Sequence, residues 1–196
     1  MKIILASKSG VRKKILNNFK IDCQVIASQV DEDEVKQSLL AEGADPLIIS
    51  KNLAEIKSIK VSSKNPDSLV IGADSVISLQ DQLINKPRSR DEALLILKKL
   101  NNTVHHLISS VCISKNGAMV WNHSDSSELK MKNLTEEQLK DYLGKIDTNT
   151  LLAYGVYQIE AEGMNLFEYI KGDHNSIMGL PIKSIINYIK QFKNND

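Results

Sequence analysis

Cysteine is scarce in this chain: Cys23 and Cys112 are the only two in 196 residues, and no CxxC pair exists. That usage excludes a disulfide framework and gives no support to a zinc site. Both cysteines fall in expected strands and read as buried free thiols of a reducing, cytoplasmic location. Aromatic residues make up only 5% of the chain. They do not interleave with basic residues, as the stacking surfaces of single-stranded nucleic-acid binders require, so no nucleic-acid partner is expected. A dominant charge sign is missing too. The formal net charge of +1 argues against a nucleic-acid coat or a strongly acidic partner, and is compatible with a local basic cleft. No apolar run reaches the roughly 18 residues of a membrane span, so no membrane association is expected. The opening Met1-Lys2-Ile3-Ile4-Leu5-Ala6 resembles the start of a signal peptide, but Lys8, Arg12, Lys13 and Lys14 end the apolar run too early. GxSxG, GxxxxGK[ST] and HExxH are all absent, which leaves those hydrolase classes without support.

What is present is an ordinary globular balance, with 42% hydrophobic and 25% charged residues. The length suits a single domain over residues 1–196, with a core that needs no covalent staple. Lys2–Ala6 reads as a strand running into the polar turn Ser7-Lys8-Ser9-Gly10 and a helix from about Val11. A second strand is expected over Asp22–Ala27, then the acidic run Asp31-Glu32-Asp33-Glu34 leading into a helix. Asp45 caps the next helix, with Pro46 at its first position and Ile49, Leu53 and Ile56 on its apolar face. Leu69–Asp74 is a continuous apolar run ending in a carboxylate, as suits a strand buried on both faces. Leu83–Asn85 reads as a short strand and Arg90–Leu100 as a helix. Val104–Ser114 and Ala118–Lys132 flank a turn at Lys115-Asn116-Gly117, forming a long hairpin. Thr135 and Gln138 form a capping box, and Ile182, Ile185, Ile186 and Ile189 mark a closing helix. No repeat, low-complexity tract or linker interrupts this series. The pattern predicts an α/β fold with a mixed sheet and flanking helices.

Several residues could carry chemistry, and each also has a plain structural reading. The turn after the first strand gathers hydroxyls, backbone N–H groups and a helix N-terminus, the elements of a phosphate site. Ser9 is its expected N-cap and Arg12 a candidate bidentate phosphate donor; ordinary capping explains the same residues. Asp74 sits where strand ends line the crevice of open α/β sheets, as a general base or metal ligand, or it caps the following turn. Lys86, held by Pro87, offers a point charge to a phosphate or lies on the surface before a helix. Lys57 is expected at its helix end, where a cation compensates the dipole. Glu32 belongs to a run that commonly forms a solvated face. His105 and His106 are adjacent on a strand and face opposite ways, so they cannot chelate one ion together.

In combination these pieces resemble the motif series of the Maf family of nucleotide pyrophosphatases, whose name refers to septum formation. Leu5-Ala6-Ser7-Lys8-Ser9 with Arg12 resembles its LASxSxxR opening. Val30-Asp31-Glu32, Leu53-Ala54 with Lys57, Val70–Ser75 and Lys86-Pro87 with Glu92-Ala93 resemble its next four segments. His105 and Ser109 fall on its THxxxT-like strand, and Gly155–Gly163 and Gly172–Pro181 resemble its closing segments. The ordered match spans about residues 3–190. There are departures: Ser58 stands where Ala is usual, Gly10-Val11 where Pro-Arg is usual, Asn102 for a frequent Gly and Ala153 for a frequent Lys.

The resemblance implies a mixed, twisted sheet with flanking helices and two lobes around a deep cleft, related to the inosine triphosphate pyrophosphatase architecture. It implies hydrolysis of a standard or modified nucleoside triphosphate to the monophosphate and pyrophosphate, with Mg²⁺ or Mn²⁺. Asp74 would take the proton and share the metal with Glu32. Ser7, Ser9 and Arg12 would grip the phosphates, and Lys57 and Lys86 would offset developing charge. Val11, Ser75 and Glu160 occupy the positions that separate dTTP/UTP-type from 7-methyl-GTP-type members. The former carry Arg, Thr and Gln there, and the latter share Glu160 but carry Trp at Val11, so this chain fits neither set. Glu160 suits a guanine-like N–H edge, which points away from strict dTTP/UTP use. Oligomeric state is not readable from the residues, though family members are often dimers and a homodimer is the corresponding expectation. The alternative function is a non-catalytic nucleotide-binding regulator of cell division.

Overall fold

The structure is a computed structural model that describes residues 2–159 and 162–195. Seven strands among these residues form one sheet in the order β2-β1-β3-β5-β6-β7, with β4 beside β3. The strands are β1 (Lys2–Leu5), β2 (Gln24–Val25), β3 (Ser68–Leu79), β4 (Gln82–Ile84), β5 (Val104–Lys115), β6 (Ala118–Met131) and β7 (Phe167–Lys171). The helices are α1 (Gly10–Asn18), α2 (Glu32–Ala41), α3 (Pro46–Ser62), α4 (Arg90–Leu100), α5 (Glu136–Gly144), α6 (Thr148–Tyr154), α7 (His174–Ile177) and α8 (Ile182–Asn195). Strand β1 pairs in parallel with β2 and β3, whereas β3–β4 and β6–β7 are antiparallel. The expected mixed α/β sheet with flanking helices is thus the one observed.

The chain divides into two compact units. The first comprises Met1–Val76, Ile108–Ser126 and Asp173–Asp196. The centre of its sheet, along β1 and β3, is buried on both faces, and the two-residue alternation of these strands decides which helix each face meets. Leu5, Leu69, Ile71 and Ala73 pack with Ile15 and Leu16 of α1 and with Ile182, Ile185 and Ile189 of α8. Ile4, Ala6 and Val70 point the other way, against Val61 of α3. This core keeps Cys112 buried; Cys23 is half-buried and lies just before β2. The second strand is shorter than its apolar pattern predicts, because only Gln24 and Val25 find partners on β1.

The second unit comprises Ile77–Leu107 and Ser127–Gly172. Gln80 and Asp81, at φ 51° and 61°, make the tight turn that folds β4 back on the end of β3. The capping box at Thr135 and Gln138 starts α5 as its sequence predicts. Arg90 closes the far end of that helix, bonding the carbonyls of Leu143 and Ile146 and the Thr148 hydroxyl. His105 is fully buried on β5, whereas His106 is exposed, so the two do face opposite ways. The His105 ring lies 5.7 Å from that of Tyr157 and 5.9 Å from that of Phe167. Its Nε2 lies 3.0 Å from Tyr157 Oη, and its Nδ1 has no partner among the described residues.

Burial first, and the nearby His106 charge second, push His105 from 6.5 down to about 4. The folded protein therefore keeps this ring neutral while the unfolded chain protonates it below about pH 6.5. Stability is accordingly lost as pH falls from about 6.5 toward 4, by about 2–3 kcal/mol between pH 7 and 4.5 from this group. Urea midpoints of wild type and His105→Phe at those two pH values should show the variant losing less. Equal losses would contradict this assignment.

Candidate active site

The turn Ala6–Ser9 joins β1 to α1. Ser9 caps the helix, its Oγ accepting from the Arg12 backbone N–H at 3.3 Å. Ser7 Oγ accepts from the Ser9 backbone N–H at 3.1 Å. Each hydroxyl accepts in these bonds and keeps its own proton to donate, so the turn is equipped to hold an anion at a helix N-terminus. Val11, in the first turn of α1, is half-buried and packs on the core between α1 and α8.

Helix α3 approaches β3 more closely than side chains ordinarily permit. A Cβ added at Gly72 would stand 2.2 Å from the Ala54 carbonyl oxygen and 2.7 Å from the Ser58 nitrogen. Only glycine accommodates that approach of backbone to backbone. Two residues farther along the strand, on the same face, comes Asp74. Ser50, Lys57 and Ser58 share the buried face of α3. Ser50 Oγ donates to the Asp74 carbonyl at 3.3 Å, and Lys57 Nζ donates to Asp74 Oδ1 at 2.7 Å.

Lys57 also reaches Glu32 Oε1 at 2.8 Å. Glu32 opens α2 one residue after its cap, Asp31, whose carboxylate accepts from the Glu34 N–H. One ammonium thus sits between two carboxylates. Lys57 and Asp74 are each only 5% exposed, so each charge depends on the other to offset its desolvation. The second Asp74 oxygen, Oδ2, is buried with no hydrogen-bond partner among the described residues. Such an atom invites a proton, a water or a cation.

Two sequence expectations about position are corrected here. Asp74 does not end its strand: β3 continues to Leu79, because Ile77–Leu79 pair with β4. Asp74 instead lies three residues beyond Ile71, the last β3 residue paired with β1. Lys57 is not at a helix end, since α3 continues to Ser62 with Val61 in the core. It is a buried mid-helix cation, and dipole compensation does not explain it.

Arg12 is the third residue of α1. Its guanidinium turns inward, donating to the Gly179 carbonyl at 2.8 Å, the Ala73 carbonyl at 2.9 Å, Ser75 Oγ at 3.1 Å and Ser7 Oγ at 3.4 Å. An outward, two-pronged grip on a phosphate is not the geometry it adopts. Burial lowers its pKa, and the charges of Asp74 and Glu32 oppose that shift. Ser75 Oγ also lies 2.9 Å from Ser109 Oγ.

A model of the family described as Maf-like protein matches residues 2–192. The chain belongs to the Maf family. A nucleoside triphosphate pyrophosphatase of Pelagibacter ubique (strain HTCC1062) is 57% identical over 191 residues, covering 97% of this chain and 98% of that one. A nucleoside triphosphate pyrophosphatase of Ruegeria pomeroyi is 37% identical, covering 95% and 94%. A 7-methyl-GTP pyrophosphatase of Brucella abortus is 35% identical, covering 98% and 97%. Among solved structures, a HAM1 protein from Coxiella burnetii aligns with TM-score 0.45 at 13% identity over 68% of this chain and 74% of its own.

Of the Maf-motif residues, Ser7, Ser9, Val11, Arg12, Glu32, Lys57, Asp74 and Ser75 all belong to the first unit. Lys86 belongs to the second, where its Nζ donates to the Ala153 carbonyl at 2.9 Å. Glu160 lies outside the described residues. The sequence reading missed Ser50, Gly72's packing role and Gly179. Ser50 precedes Lys57 by seven residues, two helical turns, a spacing that would have flagged it.

Gly72→Ala tests the close contact that sets Asp74 against Lys57. The new methyl meets the α3 backbone at Ala54 and Ser58, so urea unfolding should report a loss of about 2–3 kcal/mol or more. An unchanged midpoint would mean that α3 and β3 are not pinned at this point.

Proposed function

We propose that this protein hydrolyses nucleoside triphosphates to the monophosphate and pyrophosphate. The observation that carries the reading is the Lys57 ammonium held between Asp74 and Glu32, with one Asp74 carboxylate oxygen that has no partner among the described residues. The 57% identity to a nucleoside triphosphate pyrophosphatase supports it along the length of the chain.

In this reaction a water oxygen bonds to the α-phosphorus, the bond from that phosphorus to the bridging oxygen breaks, and pyrophosphate leaves. Asp74 Oδ2 is the proposed proton acceptor, because Oδ1 is already committed to Lys57. Lys57 fixes the Asp74 carboxylate through its 2.7 Å contact and offsets charge that builds on the phosphates. Ser7 and Ser9 donate their hydroxyl protons to phosphate oxygens at the start of α1. For Lys86, in the same charge-offsetting role, the support is the family motif.

A divalent cation fits the donor set, since Asp74 Oδ2 and Glu32 are hard oxygen ligands. No group of three or more His, Cys, Asp or Glu suited to a metal exists among the described residues. Two carboxylates are in keeping with Mg²⁺ or Mn²⁺, which take few protein ligands and share the rest with substrate phosphates and water. When bound, the ion supplies positive charge to the triphosphate.

Base selection is assigned to Val11, Ser75 and Glu160 on the family motifs. A carboxylate at Glu160 suits the N–H edge of a guanine-type base, so 7-methyl-GTP belongs in the substrate panel beside the standard nucleotides.

Asp74→Asn keeps the side chain's shape and removes its basicity. Pyrophosphate release with Mg²⁺ should fall by about 100-fold or more, with the circular dichroism spectrum unchanged. Chelator should abolish release by the wild type. Unchanged turnover in Asp74→Asn would remove Asp74 from the chemistry, and no release by the wild type from any nucleotide would favour a non-catalytic nucleotide-binding regulator.

A further inference from the structure

Arg12 joins three separated parts of the first unit. Through Ser7 it holds the turn before α1. Through the Ala73 carbonyl and the Ser75 hydroxyl it holds β3 immediately on each side of Asp74, and through the Gly179 carbonyl it holds the turn before α8. These bonds engage four N–H groups of the guanidinium, which has five in all. The one remaining cannot make the two parallel bonds of a bidentate phosphate contact.

The surroundings fit a fixed guanidinium. Gly179 has φ +99°, and a Cβ there would stand 3.3 Å from Ser75 Oγ and 3.4 Å from Arg12 Nε. Glycine therefore supplies both the turn and the room for the arginine. Ser75 is braced from its other side by Ser109. Asp74 is thus constrained twice: its carboxylate by Lys57, and its neighbours Ala73 and Ser75 by Arg12.

We propose that Arg12 is a positioning residue, which sets β3 at Asp74 in its working geometry and does not grip the triphosphate. This assignment rests on the pyrophosphatase reading above. A lysine in its place keeps the charge but has no planar fork, so it cannot hold these dispersed acceptors together. The loss then falls on the chemical step and spares ground-state binding.

The test is Arg12→Lys in the full chain, with Mg²⁺. Steady-state pyrophosphate release gives kcat and KM, and calorimetry with a non-hydrolysable α,β-methylene nucleoside triphosphate gives affinity. The expected result is a fall in kcat of about 30-fold or more, with KM and analogue Kd within about three-fold of wild type. An analogue affinity weakened by about ten-fold or more, with kcat little changed, would return Arg12 to the phosphate grip and overturn the proposal. An unchanged kcat with only a lower Tm would overturn it too, by leaving a purely structural role. Should Arg12→Lys not fold, Ser109→Ala withdraws the brace on Ser75 and leaves Arg12 intact. It should lower kcat by about three-fold with the same KM, and a change in KM alone would count against the proposal. Wild-type protein measured alongside separates the two levels: an inactive wild type defeats the pyrophosphatase reading itself, whereas an active wild type with a binding-defective Arg12→Lys defeats only this assignment.

Discussion

Lys57 carries its ammonium into the packed contact between α3 and β3, where an unpaired charge would be expensive, and meets Asp74 and Glu32 there. Most of the site follows from that arrangement. The burial of Asp74 is offset by the Lys57 ammonium 2.7 Å from one of its oxygens. Its other oxygen is buried and has no hydrogen-bond partner among the described residues. Glu32, on a separate helix, is drawn to the same ammonium and so comes within one lysine head-group of Asp74. Two carboxylates held this close without a cation between them would repel, and the lysine lets them share a site.

The backbone prepares this contact before any charge is considered. Gly72 lets α3 lie directly on β3, and the two-residue strand period then turns Asp74 toward the helix. Ser50 and Lys57, two helical turns apart, take hold of the Asp74 carbonyl and carboxylate. On the other face of the strand Arg12 binds the neighbouring residues Ala73 and Ser75. Asp74 and its two neighbours on β3 are thus fixed by contacts from α3 on one face and α1 on the other.

How much of this was legible in the sequence depended on distance along the chain. The turn at Asn116-Gly117, the caps at Ser9, Asp45 and Thr135, and the run Leu69–Asp74 were readable because local chemistry decides them. The motif series brought Lys57, Asp74 and Glu32 together as candidates, although nothing local says that one lysine bridges both acids. The end of α3 was misjudged because burial of Val61 against Ile4, Ala6 and Val70 extends the helix past Lys57. The end of β3 was misjudged because its continuation depends on pairing with β4. Arg12's inward turn depends on Gly179, 167 residues away, which no local pattern reports.

The proposed chemistry places the attacking water on the α-phosphorus, with pyrophosphate as leaving group. Hydrolysis of a nucleoside triphosphate in ¹⁸O-labelled water, with products read by phosphorus NMR or mass spectrometry, tests that claim most directly. The account predicts one ¹⁸O atom in the nucleoside monophosphate and none in the pyrophosphate. Label in the pyrophosphate, or release of inorganic phosphate with a diphosphate product, would contradict it.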